Sequence, residues 1–153
     1  MSINNGIFHI LLADDDQDDR QFFEDAISEL KMEHRLTVFK DGEELINYLE
    51  HPDSQNENIP HIVFLDLNMP CKTGFDCLKE IRENSKYNDL SIAIYSTSSA
   101  EKDIEDSFIG GANIFIKKPA DFTQLKKVIK EVVNINWQFH SSGLNMETFL
   151  FSI

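Results

Sequence analysis

Short apolar runs alternate along this chain with stretches in which apolar residues recur at helical spacing. Phe8-His9-Ile10-Leu11-Leu12-Ala13 is apolar almost throughout and runs directly into acids, as a buried strand does. Behind it, Phe22, Phe23, Ala26, Ile27 and Leu30 fall on one helical face. Leu36-Thr37-Val38-Phe39 predicts a second strand, and Asp41 followed by Glu44 predicts a capped helix start with Leu45, Ile46 and Leu49 turned inward. The polar stretch from His51 to Pro60 reads as a loop. Ile62-Val63-Phe64-Leu65 is the clearest strand, and Pro70 keeps Asn68-Met69 after it out of a helix. Phe75, Leu78 and Ile81 mark a third helix, and Ile92-Ala93-Ile94-Tyr95 a fourth strand. Ser98 and Glu101 have the spacing of a capping box before a helix carrying Ile104, Phe108 and Ile109, which Gly110-Gly111 stops. Ile114-Phe115-Ile116 predicts a fifth strand ending at Lys118-Pro119. Asp121 then caps a last helix through Phe122, Leu125, Val128, Ile129 and Val132.

The order is strand then helix, five times over. Strands apolar on both faces, separated by amphipathic helices, predict an α/β fold: a doubly wound five-stranded parallel sheet, (βα)5. In such sheets the ligand crevice lies at the carboxyl ends of the strands. The residues standing there are Asp14, Asp15 and Asp16, then Asp66, then Ser96 and Thr97, then Lys118. Converging carboxylates repel, and a bound cation relieves that; an oxygen-only ligand set suits Mg²⁺. A lysine amine and a hydroxyl can hold phosphoryl oxygens, and a carboxylate beside Mg²⁺ can be the nucleophile that forms an aspartyl phosphate. Singly, each residue has an ordinary explanation: Asp16 as a helix cap, Ser96 as a turn residue, Lys118 as a solvated charge. Their coincidence at successive strand ends is what argues for a site.

Composition narrows the class. The 153 residues fit one domain. With 27 acidic and 14 basic side chains the formal charge is −13, which argues against binding nucleic acid through its phosphates. Cys71 and Cys77 have neither metal-ligand spacing nor the look of a disulfide framework. Together with an N-terminus lacking a signal-peptide pattern, they predict a cytoplasmic protein. No apolar stretch approaches the ~18 residues of a membrane span.

The motifs Ile10-Leu11-Leu12-Ala13-Asp14-Asp15-Asp16, Phe64-Leu65-Asp66-Leu67-Asn68-Met69-Pro70 with Gly74, Ile94-Tyr95-Ser96-Thr97, and Gly111-Ala112 followed by Lys117-Lys118-Pro119 occur in the order of a known family. The chain resembles a two-component response-regulator receiver domain over residues 7–133. The resemblance implies the flavodoxin-like strand order 2-1-3-4-5. It makes Asp66 the phosphoacceptor, served by a sensor histidine kinase or a histidine phosphotransfer protein. Asp14, Asp15, Asp66 and the Asn68 carbonyl become Mg²⁺ ligands. Ser96 and Lys118 become the phosphoryl-binding hydroxyl and amine, with Lys117 pointing away. Phe115 takes the aromatic switch position, where tyrosine is common; lacking a hydroxyl, it must act by ring packing. The Lys118–Pro119 bond is often cis in that family. On this reading the protein is no enzyme beyond its own phosphorylation and dephosphorylation. It signals through a downstream protein or a second copy, using the face of the fourth helix, fifth strand and fifth helix. The acid run at 14–19, the polar loop before the third strand and the lack of an output domain look similar to phytochrome-associated single-domain regulators.

Other classes fit less well. A flavodoxin-like electron carrier needs a hydroxyl- and glycine-rich phosphate loop where three aspartates stand. A calcium loop built on Asp14, Asp16 and Asp18 has Asp19 in place of its glycine and Asp25 in place of its glutamate. A Mg²⁺-dependent phosphatase using Asp66 would need a cap for which the chain leaves little room. In the extension 134–153, Ile135, Trp137 and Phe139 alternate as in a strand, followed by Leu144, Met146, Phe149, Leu150 and Phe151. That segment reads first as a strap on its own domain and second as a contact surface for another protein.

Overall fold

Strand alternation sends neighbouring residues to opposite faces of a sheet, and here both faces are apolar. The computed structural model describes residues 7–51, 59–135 and 150–151, the last pair in backbone only. Strands β1 (Phe8–Ala13), β2 (His34–Phe39), β3 (Ile62–Leu65), β4 (Ser91–Ser96) and β5 (Ile114–Lys117) alternate with helices α1 (Gln17–Ser28), α2 (Gly42–Glu50), α3 (Gly74–Glu83), α4 (Glu101–Ile109) and α5 (Phe122–Val133). These strands are parallel and lie in the predicted order β2-β1-β3-β4-β5.

Ile10, Leu12, Phe64, Tyr95 and Ile116 face α1 and α5, where Phe23, Ile27, Leu125 and Ile129 close the core. Leu11, Ala13, Val63, Leu65 and Ile94 face the other way, onto Leu45, Leu49, Leu78 and Ile81 of α2 and α3. The doubly wound arrangement follows directly. Apolar area removed from water on both sides is worth roughly 25 cal/mol per Å², so the central strands are the most firmly held part of the molecule.

Three helix starts use the predicted chemistry. Asp16, Asp41 and Asp121 cap α1, α2 and α5 by accepting from Asp19, Glu44 and Thr123 N–H groups. Thr73 and Asp76 add a reciprocal capping box at α3. The start of α4 departs from expectation. Its N-cap is Ala100, with no side-chain cap, while Ser98 donates to Asp103 Oδ2 at 2.6 Å and accepts from Ala100 N–H. The spacing of Ser98 and Glu101 suits a capping box, but the chain enters the helix two residues later. Gly110 and Gly111 do stop α4, with Gly111 at φ +101°, where a side chain would be strained.

A further strand, β6 (Leu150–Phe151), pairs in parallel with β5 and extends the sheet at that edge. For these two residues the extension does lie on its own domain. The remaining apolar positions expected to matter there, Trp137, Phe139, Leu144, Met146 and Phe149, lie outside the described residues, as does most of the loop predicted from His51 to Pro60.

Candidate functional site

Backbone bonds tie the carboxyl end of β1 to those of β2 and β3, and that of β5 to that of β4. Asp14 N–H donates to Phe39 O at 3.1 Å, Asp66 N–H to Ala13 O at 3.0 Å, and Lys118 N–H to Ser96 O at 2.8 Å. Each residue singled out in the sequence is thereby fixed at the same end of the sheet.

Asp14 is fully buried, and Asp66 is 4% exposed. Asp14 Oδ1 accepts from Asp16 N–H at 3.0 Å, and Arg20 donates to the Asp14 carbonyl at 2.8 Å. The next residue, Asp15, is exposed. Asp66 Oδ1 accepts from Asn68 N–H at 3.3 Å. The loop after Asp66 is drawn tight by Gly74, whose N–H donates to Leu67 O at 2.9 Å. A Cβ at Gly74 would lie 2.3 Å from the Asp66 carbonyl oxygen, so only glycine permits this approach.

Ser96 is fully buried and its Oγ accepts from Ser98 N–H at 3.1 Å. Lys118 reaches under the carboxylates. Its ammonium lies 2.8 Å from Asp14 Oδ2, 2.9 Å from Asp19 Oδ2 and 3.6 Å from Asp66 Oδ2, over the Tyr95 ring at 5.3 Å. Lys117 is exposed and turned away, as expected. The Lys118–Pro119 bond is trans, unlike the isomer often found in the family. Trans is the isomer that X–Pro bonds favour in general. Phe115 is fully buried, so the aromatic switch expected from sequence starts here with its ring already inside the core.

Burial pushes the Asp66 carboxyl up to about 7, against the pull of the Lys118 ammonium and with a push from Asp14 and Asp15. Burial also raises Asp14, again opposed by Lys118. Burial would lower Lys118, but the carboxylates of Asp14, Asp19 and Asp66 outweigh it and hold the amine above its ordinary range. The site is thus a set of acids that a single ammonium neutralises only in part.

A divalent cation fits this donor set. Carboxylate oxygens of Asp14, Asp15 and Asp66 lie within 4.8 Å of one another. Asp14 Oδ2 is buried without a well-formed hydrogen bond, although the Lys118 ammonium lies 2.8 Å away as an ion pair. An oxygen-only set with few protein ligands suits a hard cation.

Asp19 was not anticipated as part of the site. In the sequence it is one acid in a run, and only the Asp16 cap makes its place evident. With Asp16 as N-cap, Asp19 becomes the third residue of α1, in the helix's first turn at the strand end.

A family model for the response regulator receiver domain matches residues 10–130. The chain is 26% identical over 124 residues to the response regulator Rcp1 of Synechocystis, covering 80% of this chain and 84% of that protein. It is 25% identical over 125 residues to a probable methanogenesis regulatory protein, FilR2, of Methanothrix harundinacea, covering 82% and 81%. Among solved structures, the phosphorylated cyanobacterial phytochrome response regulator RcpA matches with a TM-score of 0.75 at 29% identity, over 83% of this chain and 91% of that one. The Mn²⁺-bound form of Rcp1 matches at 0.72 and 25%, over 82% and 91%. The strand order, the acids gathered at one sheet end and the span of the family model agree: this chain belongs to the response regulator receiver domain family of two-component systems.

Proposed function

We propose that Asp66 accepts a phosphoryl group from the phosphohistidine of a sensor histidine kinase or a histidine phosphotransfer protein, with Mg²⁺ as cofactor. The observation that carries this is the Asp66 carboxylate itself: buried, grouped with Asp14 and Asp15, and 3.6 Å from the Lys118 ammonium. In the transfer, an Asp66 oxygen attacks phosphorus, the P–N bond to the imidazole breaks, and the imidazole leaves with the bonding pair. Mg²⁺ held by Asp14, Asp15, Asp66 and the Asn68 carbonyl would supply charge neutralisation for phosphoryl oxygens. Lys118 is near enough to turn toward the new phosphoryl group. Ser96, fixed beside it through the Lys118 N–H bond to its carbonyl, is the hydroxyl that follows. The chemistry is confined to the protein's own phosphorylation and dephosphorylation.

The output is an altered surface offered in the cytoplasm to a downstream protein or to a second copy of the chain, with residues 7–133 as the receiver unit and 134–153 as an extension. Rearrangement around Ser96 is coupled to α4, whose entry lacks a cap and is tied to Ser98 instead. Because Phe115 is already inside, its part is to repack rather than to enter.

Intact-mass measurement after incubation with acetyl phosphate and Mg²⁺ tests the acceptor. The wild type should gain one phosphoryl group and Asp66→Asn none; equal incorporation by both would refute the assignment.

A further inference from the structure

The lysine at the centre of the site is shared between the acid trio and a residue outside it. Lys118 donates to Asp19 Oδ2 at 2.9 Å with good hydrogen-bond geometry. It also lies 2.8 Å from Asp14 Oδ2 as an ion pair, whereas Asp66, at 3.6 Å, is beyond hydrogen-bond reach. Asp19 is set in place by α1, since its N–H is held by the Asp16 cap. Its side chain is 38% exposed, whereas those of Lys118 and Asp14 are 9% and 0% exposed. Of the acids around the lysine it is therefore the one that water can most readily take back. It also lies outside the group of carboxylates placed to share a cation, which is Asp14, Asp15 and Asp66.

We propose that Asp19 is a positioning residue for Lys118, holding its ammonium short of Asp66 in the resting state in competition with the phosphoryl group. The proposal rests on the reading of Asp66 as phosphoacceptor. Two consequences have opposite signs. While Lys118 is held by Asp19, its positive charge is drawn away from Asp66 and the trio retains more attraction for a divalent cation. Once a phosphoryl group appears on Asp66, the ammonium must give up Asp19 to reach it, and that loss is subtracted from the phosphoryl group's binding. Replacing Asp19 with a neutral residue removes one negative charge near the cation and lets Lys118 move closer to Asp66, which opposes the metal. The same change removes the competitor for the lysine, which favours the phosphoryl group. A residue needed only for folding would weaken both.

The test uses the full chain, Asp19→Asn and the charge-conserving Asp19→Glu. Calorimetry gives Mg²⁺ affinity, and titration with beryllofluoride at saturating Mg²⁺ gives the affinity for a phosphoryl mimic. Asp19→Asn should bind Mg²⁺ about two- to fivefold more weakly and beryllofluoride about two- to fivefold more tightly, the range expected of one partly exposed ion pair. Asp19→Glu should restore Mg²⁺ affinity toward the wild type. The ¹⁵N-detected Lys118 ammonium resonance, recorded without metal or mimic, should shift in Asp19→Asn. Unchanged affinities, or parallel weakening of both, would overturn the proposal. A wild type that binds no beryllofluoride while its ammonium resonance still responds to Asp19→Asn would overturn the phosphoacceptor reading, and the proposed competition with it.

Discussion

The two ends of β1 bury titratable side chains in opposite ways. At the amino end, His9 is 7% exposed, and its hydrogen-bond and ring partners are Thr37, His61 and Tyr48. Its Nε2 lies 3.0 Å from Thr37 Oγ1, its backbone N–H donates to His61 Nδ1 at 3.0 Å, and the Tyr48 ring stands edge-on to the imidazole. His61 is in turn stacked on Phe8 at 4.6 Å. Burial, with Arg35 and His61 nearby, brings His9 down to about 4, and burial lowers His61 too. At the carboxyl end, Asp14 sits among acids with one ammonium between them. One end discards its charge and is satisfied; the other retains charge that its surroundings do not balance. Such strain belongs where a ligand is to relieve it, because binding to the folded state alone stabilises it by mass action.

Two opposed pH dependences sit within one sheet. Asp66, on the neighbouring strand, has a folded value of about 7, above the ordinary carboxylate value, so the folded state binds its proton more readily. Its contribution to stability is full below about pH 4 and is lost as pH rises through 7. His9, at about 4 when folded and 6.5 when not, gives the reverse: its contribution is full above about pH 6.5 and is lost as pH falls toward 4. Between pH 4 and 6.5 the two slopes oppose each other.

The largest expected effect comes from removing the acid slope. Asp66→Asn should stabilise the metal-free protein at pH 8 by about 2–4 kcal/mol, given ~1.4 kcal/mol per pKa unit and partial relief by neighbours. Mg²⁺ should raise the wild-type melting temperature and leave that of the variant nearly unchanged. Identical melts with and without Mg²⁺ for the wild type would undo the contrast between the two ends. Next in size is the histidine slope. His9→Gln keeps a neutral hydrogen-bonding side chain, so its stability relative to wild type should grow by on the order of 2–3 kcal/mol as pH falls from 7 to 4.5, read from denaturant midpoints. A constant difference across that range would mean that His9 keeps an ordinary pKa in the fold. The smallest effect tests the helix entry nearest the site. Ala100→Asp should supply the missing cap of α4, stabilise the protein by about 0.5–1 kcal/mol and slow amide exchange in its first turn. No change would show that Ser98 and Asp103 already do that work.

Much of the frame was legible in the chain. The apolar runs gave the strands, and the rule that sites lie at strand carboxyl ends picked out Asp14, Asp66, Ser96 and Lys118 together. What escaped depends on where separate segments meet. Asp19 became part of the site only through a lysine nearly a hundred positions away, and a run of acids does not reveal which member faces that lysine. The pairing of His9 with His61 needs the register of β1 against the start of β3, which no periodicity encodes. The α4 cap failed for a local reason: Ser98 and Glu101 have the right spacing, but a cap also requires backbone geometry, and Ser98 found Asp103 instead. The two-residue β6 carries no pattern long enough to read, and exists because β5 offers an edge.

That edge matters for how the protein behaves in concentrated solution. An open parallel sheet has two flanks able to recruit foreign strands, and proteins usually guard them. Here the β2 flank presents an exposed Arg35, a charge that discourages stacking of chains. The β5 flank has the apolar sequence Ile114-Phe115-Ile116 and relies on β6 as a backbone cover. Affinity tags or truncations placed close to Leu150 would therefore be a poor choice in preparing the protein, because they disturb the guard on its more adhesive flank.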